Sequence, residues 1–195
     1  FDVTRDNDSN QNGGTQTGAF QVVGDRMVRG DVLVPDSGGV TIWFAARFSR
    51  PFGAHGTWTA GGLTPGKRSA SGHGAGGWVR FDATRVRQVQ ADIAVSYTSA
   101  GEALRKLRSD AAGAPSFDTV RVAAQRSWNA RLGSIAVTGG TRRIRRTFAT
   151  NLYHALLMPT TFDDADSRYR GFDNRIHRLV PGDHHYADLS LWDTY

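Results

Sequence analysis

Two short segments near the C-terminal end of the sequence place charged side chains beside aromatic rings. Residues 169–173 read Tyr-Arg-Gly-Phe-Asp and contain Arg170 and Asp173; residues 190–195 read Ser-Leu-Trp-Asp-Thr-Tyr and contain Trp192 and Asp193. An aromatic ring can stack on the C–H face of a sugar, while carboxylate and guanidinium groups hydrogen-bond its hydroxyls. The two segments are therefore candidates for a sugar-binding site. The second one fits equally well a buried tryptophan beside a helix-capping aspartate.

A run of carboxylates at residues 163–166, Asp-Asp-Ala-Asp, could hold a hard cation. The calcium-loop template fails, however. Counted from Asp164, Tyr169 stands where that loop needs glycine and Arg175 where it needs glutamate. We therefore expect a solvated acidic turn.

A pair of histidines, His184 and His185, lies between Asp183 and Asp188 and could also ligate a metal. Adjacent side chains on an extended chain point to opposite sides, so only one histidine could join a given site. We assign no metal ligand in this sequence.

The glycine-rich stretch at residues 72–77 matches the G-x-G-x-x-G fingerprint of dinucleotide-binding proteins. No strand precedes it, and a strand-like segment rather than a helix follows it. No helix N-terminus is then available to meet a pyrophosphate, so we predict an inter-strand loop.

The composition is that of a globular protein without cysteines. The chain has 195 residues and a net charge of +6, and all but two of its 24 basic residues are arginine. The arginines are spread along the whole chain, with one local cluster at residues 142–146, so we predict no nucleic-acid partner. The absence of cysteine excludes disulfides and thiolate metal sites. No apolar run is long enough to predict a membrane span.

The sequence pattern predicts strands in the first half of the chain and helices after them. Residues 40–48 and 89–97 alternate apolar and polar side chains, which is typical of half-buried strands. In residues 89–97 the alternation places Val89, Ala91, Ile93, Val95 and Tyr97 on the face expected to be buried. Shorter strands are expected at 21–28, 32–34 and 78–81, with loops at 61–77.

Helical patterns begin at Ser99. The stretch Ser99 to Glu102 is a capping box, in which the serine hydroxyl accepts from the amide of Glu102 and the glutamate reaches back. A second helix is expected from Ser116, and a third after residues 139–141, ending before Pro159. The sequence therefore predicts a β-sandwich followed by helical segments.

Three blocks in a fixed order resemble glycoside hydrolase family 92, whose members are exo-acting, calcium-dependent, inverting α-mannosidases. The blocks are residues 151–159, 166–173 and 186–195, and the Ser-Leu-Trp-Asp-Thr stretch followed by an aromatic residue is the most diagnostic part. Weaker similarity at residues 47–52, 79–82, 128–129 and 139–141 extends the resemblance over nearly the whole chain.

The resemblance implies a division of the chain and a set of site residues. Residues 1–98 would be part of an N-terminal β-sandwich, 99–140 a helical connector, and 141–195 the start of an (α/α)6 catalytic barrel. Trp192 and Asp193 would hold the terminal mannose, with Arg170 and Asp173 on the same wall. The chain would be a piece of a longer enzyme, with the catalytic acid, the catalytic base and the calcium ligands after Tyr195.

The function that the resemblance implies is that of a secreted or periplasmic bacterial exo-α-mannosidase of α-1,2 type. It would hydrolyse terminal mannose from N-glycans or mannans with inversion, and would use calcium. Its partners would be mannose-containing glycans and the remainder of the same polypeptide. The alternative is a non-catalytic carbohydrate-binding β-sandwich, against which the apolar faces of the helices after Ser99 argue.

Overall fold

The computed structural model describes residues 1–3, 17–34, 39–110 and 115–187. The chain divides into two compact units. The first unit contains Phe1–Ala112 together with Asp163–Asp183, and the second contains Gly113–Phe162 together with His184–Tyr195. Residues 163–183 thus return to the unit that contains the N-terminal strands. The division into 1–98, 99–140 and 141–195 stays a prediction.

The first unit is built on two antiparallel sheets. Its strands are β1 (Thr17–Val23), β2 (Met27–Val34), β3 (Val40–Phe48), β4 (Ala54–Thr59), β5 (Gly62–Pro65), β6 (Ser69–His73), β7 (Gly76–Arg80) and β8 (Ala91–Ser96). Within the described residues, the larger sheet has the order β6-β1-β2-β3-β8, and the smaller sheet the order β5-β4-β7. The helix α1 (Ala100–Asp110) follows β8. The expected β-sandwich followed by helices is confirmed.

The expectation that β3 is half-buried is wrong, because the strand packs on both faces. Ala46 and Phe48 face the core cluster between the two sheets, which also contains Phe20 and Val28. On the opposite face, Ala45 joins a second cluster formed with β8 and α1. The larger sheet therefore lies between the smaller sheet and α1.

Three expected boundaries differ from the structure, and the strand β4 was not expected. Residues 32–34, expected as a strand of their own, form the end of β2. The segment expected as one strand over residues 21–28 contains the turn that joins β1 to β2, and the expected loop at residues 61–77 contains β5 and β6. Both stretches contain glycine and other residues that turns also favour, so alternation alone does not locate the ends of their strands. The glycine-rich residues 72–77 span the turn from β6 into β7, so the predicted inter-strand position is confirmed. The expectation that no strand precedes them is wrong, because β6 does, but no helix N-terminus follows them.

The buried face of β8 is the opposite of the expected one. Ala94 and Ser96 are buried, whereas Ile93 and Val95 are 61% and 43% exposed. The alternation itself is correct, but α1 packs its Leu107 on the face that carries Ala94. Because β8 lies at the end of the larger sheet, its other face is not covered by the smaller sheet within the described residues.

The start of α1 confirms half of the predicted capping box. The amide of Glu102 donates to the Oγ of Ser99 at 3.1 Å. The second bond of the box, from the amide of Ser99 to the carboxylate of Glu102, is not formed. The amide of Ser99 donates to the Oγ of Ser96 at 3.1 Å instead. The carboxylate of Glu102 instead contacts the guanidinium of Arg105, one turn along the helix.

Among its described residues, the second unit contains two helices and a two-stranded ladder. These elements are α2 (Phe117–Leu132), α3 (Arg142–Ala155), β9 (Thr160–Thr161) and β12 (Tyr186–Ala187), with β9 and β12 paired. Ser116 and Thr141 are the N-caps of the two helices, as predicted, and α3 ends before Pro159. In the described part of the chain, no helix has both the length and the apolar character needed to cross a bilayer.

Candidate functional site

A hairpin in the first unit carries two of the four predicted site residues. Its strands are β10 (Arg168–Arg170) and β11 (Ile176–Arg178), which pair in antiparallel register. Residues 171–175 form its tip. The amide of Gly171 donates to the carbonyl of Arg175, and the amide of Asn174 donates to the carbonyl of Gly171, both at 2.9 Å. These bonds close the tip, with Asn174 in the left-handed region at φ 65°.

Arg170 attaches the hairpin to the larger sheet. Its Nε donates to the carbonyl of Tyr97 at 3.3 Å, just beyond the end of β8. Its Nη1 donates to the backbone carbonyl and to the Oδ1 of Asn174 at 3.1 and 3.2 Å. The guanidinium also lies 5.8 Å from the centroid of the Trp43 ring. Much of the hydrogen-bonding capacity of Arg170 is therefore used within the protein.

Asp173 is an exposed carboxylate at the tip of the hairpin. Its Oδ1 lies 2.9 Å from the Nε2 of His177 and accepts from the amide of Arg175 at 3.1 Å. These hydrogen bonds hold the pKa of Asp173 below its ordinary value. The side chain is 49% exposed, and the neighbouring Phe172 is 93% exposed. The tip therefore presents an aromatic ring and an ionised acceptor to the surroundings.

The other two predicted site residues, Trp192 and Asp193, lie outside the described residues, as does Asp188. Their assignment to a sugar site stays a prediction.

The run of carboxylates at residues 163–166 is not the fully solvated turn that the sequence predicted. The expectation of a solvated turn is wrong for Asp164, which is 2% exposed. Its Oδ1 accepts from the Nζ of Lys106 at 2.6 Å. Its Oδ2 accepts from the hydroxyl of Ser96 at 2.5 Å and from the hydroxyl of Thr98. These donors are more than 55 residues away in sequence, so no local pattern indicated that they converge on Asp164.

Asp166, two residues later, is paired with arginines. Its carboxylate binds the Nη2 of Arg105 at 2.9 Å and the Nε of Arg168. Burial raises the pKa of Asp166, but the hydrogen bonds from Arg168 and Arg105 outweigh that effect, so the pKa is below its ordinary value. Both Asp164 and Asp166 thus have cationic partners from α1.

These carboxylates do not fit a calcium site. A calcium ion takes six to eight oxygen ligands, and here Lys106, Arg105 and Arg168 occupy the positions around the carboxylates. Across the described ranges, no three histidine or acidic side chains come close enough to share a metal ion. His184 and His185 are included in that result.

The arginine cluster at the start of α3 is exposed. The Nη1 of Arg145 donates to the carbonyls of Gly139 and Gly140 at 2.9 and 2.7 Å. It thereby closes the loop before the helix, which is a local structural role.

Comparisons with known proteins place both parts of the chain in one family. The glycosyl hydrolase family 92 N-terminal domain matches residues 1–96, and the catalytic domain of the same family matches residues 102–195. Comparison with curated proteins finds no match.

Three solved structures similar to this chain belong to the same family. A family GH92 α-mannosidase from Bacteroides thetaiotaomicron has a TM-score of 0.83 and 25% identity over 93% of this chain and 25% of its own. Its complex with mannoimidazole gives a TM-score of 0.82, also at 25% identity, over 93% of this chain and 24% of its own. A family GH92 inverting mannosidase from Bacteroides thetaiotaomicron has a TM-score of 0.79 and 24% identity, over 91% of this chain and 25% of its own. The chain spans about a quarter of the length of these relatives.

Proposed function

Because the chain belongs to glycosyl hydrolase family 92, we propose that it forms part of an exo-acting α-mannosidase that removes terminal mannose from glycans. The observation that carries the proposal is that the family's N-terminal and catalytic domains match the chain in succession, at residues 1–96 and 102–195. The substrates we propose are N-glycans or mannans, cleaved at α-1,2 linkages. Such glycans are found outside the cytoplasm, which is consistent with a secreted or periplasmic enzyme.

The hairpin tip supplies one wall of the proposed sugar pocket. Asp173 accepts hydrogen bonds from sugar hydroxyls, because its carboxylate is exposed and has acceptor sites beyond those that His177 and Arg175 use. Arg170 fixes the hairpin on the larger sheet and keeps the charged wall in place. Trp192 and Asp193 contact the terminal mannose, the first by stacking and the second by hydrogen bonds.

The proposed reaction is hydrolysis with inversion, which needs a protonated acid and an ionised base about 6.5–9.5 Å apart. A general acid that works near neutral pH needs a raised pKa. Asp166 and Asp173 have lowered pKa values, and Asp164 is enclosed by three donors. We therefore assign these carboxylates to binding and positioning, and no catalytic acid to this hairpin region.

The family resemblance also implies calcium. Asp164 and Asp166 do not fit such a site, since cationic side chains lie against both carboxylates. No step of the mechanism above passes through the ion.

The experiment that tests the proposal uses the full-length enzyme with α-1,2-, α-1,3- and α-1,6-linked mannobiose. We expect release of mannose, fastest from the α-1,2 substrate, with β-mannose appearing first in the proton NMR spectrum. Initial α-mannose would contradict inversion, and equal rates on all three linkages would contradict the α-1,2 preference. Binding of mannosides without any hydrolysis would favour the alternative of a non-catalytic carbohydrate-binding module.

A further inference from the structure

The carboxylate of Asp164 is enclosed by donors from two other segments. The hydroxyls of Ser96 and Thr98, at and just after the end of β8, donate to its Oδ2, and the ammonium of Lys106, on α1, donates to its Oδ1. The Asp164 side chain has no exposed surface, and that of Lys106 is 22% exposed. A buried ion is retained only where its charge is compensated and its lone pairs are satisfied, and Asp164 meets both conditions.

The hydroxyl of Ser96 is oriented by the backbone around it. Its oxygen accepts from the amides of Thr98 and Ser99, each at 3.1 Å. With both lone pairs engaged, its one proton is directed to Asp164, at 2.5 Å. The residues just before α1 therefore form a preorganised hydrogen-bond donor site for this carboxylate.

Asp164 also forms backbone hydrogen bonds at the base of the hairpin. Its amide donates to the carbonyl of Arg168 at 2.8 Å, and its carbonyl accepts from the amide of Ser167 at 2.9 Å. The carbonyl of Ser167 then accepts from the amide of Leu179, at the far end of β11. A short chain of bonds thus runs from the buried carboxylate to both strands of the hairpin.

We infer that Asp164 is a positioning residue of the sugar site, whose contacts with Ser96, Thr98 and Lys106 fix the hairpin that carries Arg170 and Asp173. This inference rests on the proposed function, because it takes the hairpin as a wall of the mannose pocket. Removal of the charge of Asp164 leaves the ammonium of Lys106 without its carboxylate partner and loosens the base of the hairpin. The wall then moves relative to the sugar.

The test compares Asp164→Asn with Asp92→Asn in the full-length enzyme. Asp92 is the matched control, because it pairs with Arg47 at 3.3 Å with both side chains more than a third exposed. Hydrogen exchange is followed at the amides of Gly171 and Leu179 in the hairpin, and at that of Val22, which donates to Arg68 in the sandwich. Kinetics are measured on an α-mannoside, normalised to the folded fraction.

We expect Asp164→Asn to accelerate exchange of the two hairpin amides by about a hundredfold or more, since breaking a buried pair is strongly destabilising. Exchange at Val22 should not change. The value of kcat/KM should fall about tenfold or more, mostly through a higher KM, because a wall that contacts the sugar contributes to binding. Asp92→Asn should alter neither quantity by more than about twofold.

Unchanged exchange in the hairpin would overturn the inference, and so would faster exchange with wild-type kinetics. If Asp164→Asn does not fold, Thr98→Val removes one donor to the carboxylate and is expected to give the same pattern at smaller amplitude. A full-length wild-type enzyme that releases no mannose would instead overturn the proposed function, and with it the role in catalysis. The exchange data would still decide whether Asp164 anchors the hairpin.

Discussion

The guanidinium of Arg170 lies over the indole of Trp43, 5.8 Å from the ring centroid. Trp43 belongs to β3 and packs against the cluster that contains Ala45 and Leu107. A cation–π contact of this kind contributes about 0.5–1 kcal/mol at an exposed site, and more when water is excluded. Together with the bond from Arg170 to the carbonyl of Tyr97, it holds the hairpin before any ligand is bound. Preorganisation of this kind lowers the cost of ligand binding.

The first prediction concerns Arg170→Lys in the full-length enzyme. Lysine keeps the charge but lacks the planar fork that bonds Tyr97 and Asn174 together, so the substitution is not conservative. We expect a loss of about 1–2 kcal/mol in stability and a roughly tenfold lower kcat/KM on an α-mannoside. Thermal denaturation and steady-state kinetics measure the two effects.

The control for this variant is Arg175→Lys, at an exposed arginine of the same hairpin tip. Exposed substitutions of this type change stability by no more than about 0.5 kcal/mol. If Arg170→Lys and Arg175→Lys behave alike, Arg170 has no special role in holding the hairpin.

The second prediction concerns the contact between the two sheets at Gly77. A Cβ at this position would overlap the ring of Phe20, which is fully buried in the core. Gly77→Ala is therefore expected to destabilise the first unit by about 1–3 kcal/mol or more through overpacking. Gly53→Ala is the matched control, because a Cβ there meets no atom within 4 Å. Urea denaturation of both variants checks this, and equal midpoints would contradict the close packing at Gly77.

Sequence analysis correctly predicted the features that depend only on residues close together in the chain. The bond between Ser99 and Glu102 joins residues three apart, and the capping residues Ser116 and Thr141 also act within one turn. Such local chemistry is visible in a single sequence, since it needs no knowledge of the fold. The alternation in β3 is equally local.

Sequence analysis missed the features that depend on contacts between segments far apart in the chain. Alternation identified β8 but not its buried face, because that depends on where α1 packs, and Ala94 rather than Ile93 is covered. The burial of Asp164 depends on Ser96, at a sequence separation of 68 residues, and on Lys106, at 58. A carboxylate in a run of acidic residues is usually solvated, and only the tertiary contacts reverse that expectation here.

The third prediction concerns the pH dependence of stability at Asp166. Its pKa is lowered in the folded protein, since the bonds from Arg168 and Arg105 outweigh the effect of burial. The unfolded chain then binds the proton more readily, so the stabilisation is present above the ordinary pKa of about 3.9 and is lost as the pH falls through the folded value. We expect the difference in free energy of unfolding between wild type and Asp166→Asn to shrink as the pH is lowered below about 4.

Asp31 provides a control of opposite sign. Burial raises its pKa in the folded protein. Its contribution is therefore fully present below the ordinary pKa of about 3.9 and is lost as the pH rises through the folded value. As the pH rises through the folded pKa of Asp31, the free energy of unfolding of Asp31→Asn should increase relative to that of the wild type. Denaturation curves from pH 3 to pH 7 measure both differences, and the same trend for both variants would contradict the assignment.

The last prediction concerns Asp193 in the full-length enzyme. If Asp193 hydrogen-bonds the terminal mannose, Asp193→Ala removes a charge-assisted bond worth about 1.5–3 kcal/mol, so kcat/KM should fall at least tenfold. Asp193→Asn keeps the shape and one acceptor and should lose less. If the aspartate only caps a helix, the alanine variant should instead lose about 0.5–2 kcal/mol of stability while the folded molecules turn over normally. Thermal midpoints and kcat/KM on an α-mannoside separate the two roles. An alanine variant that melts early and retains wild-type kcat/KM would assign Asp193 to the scaffold.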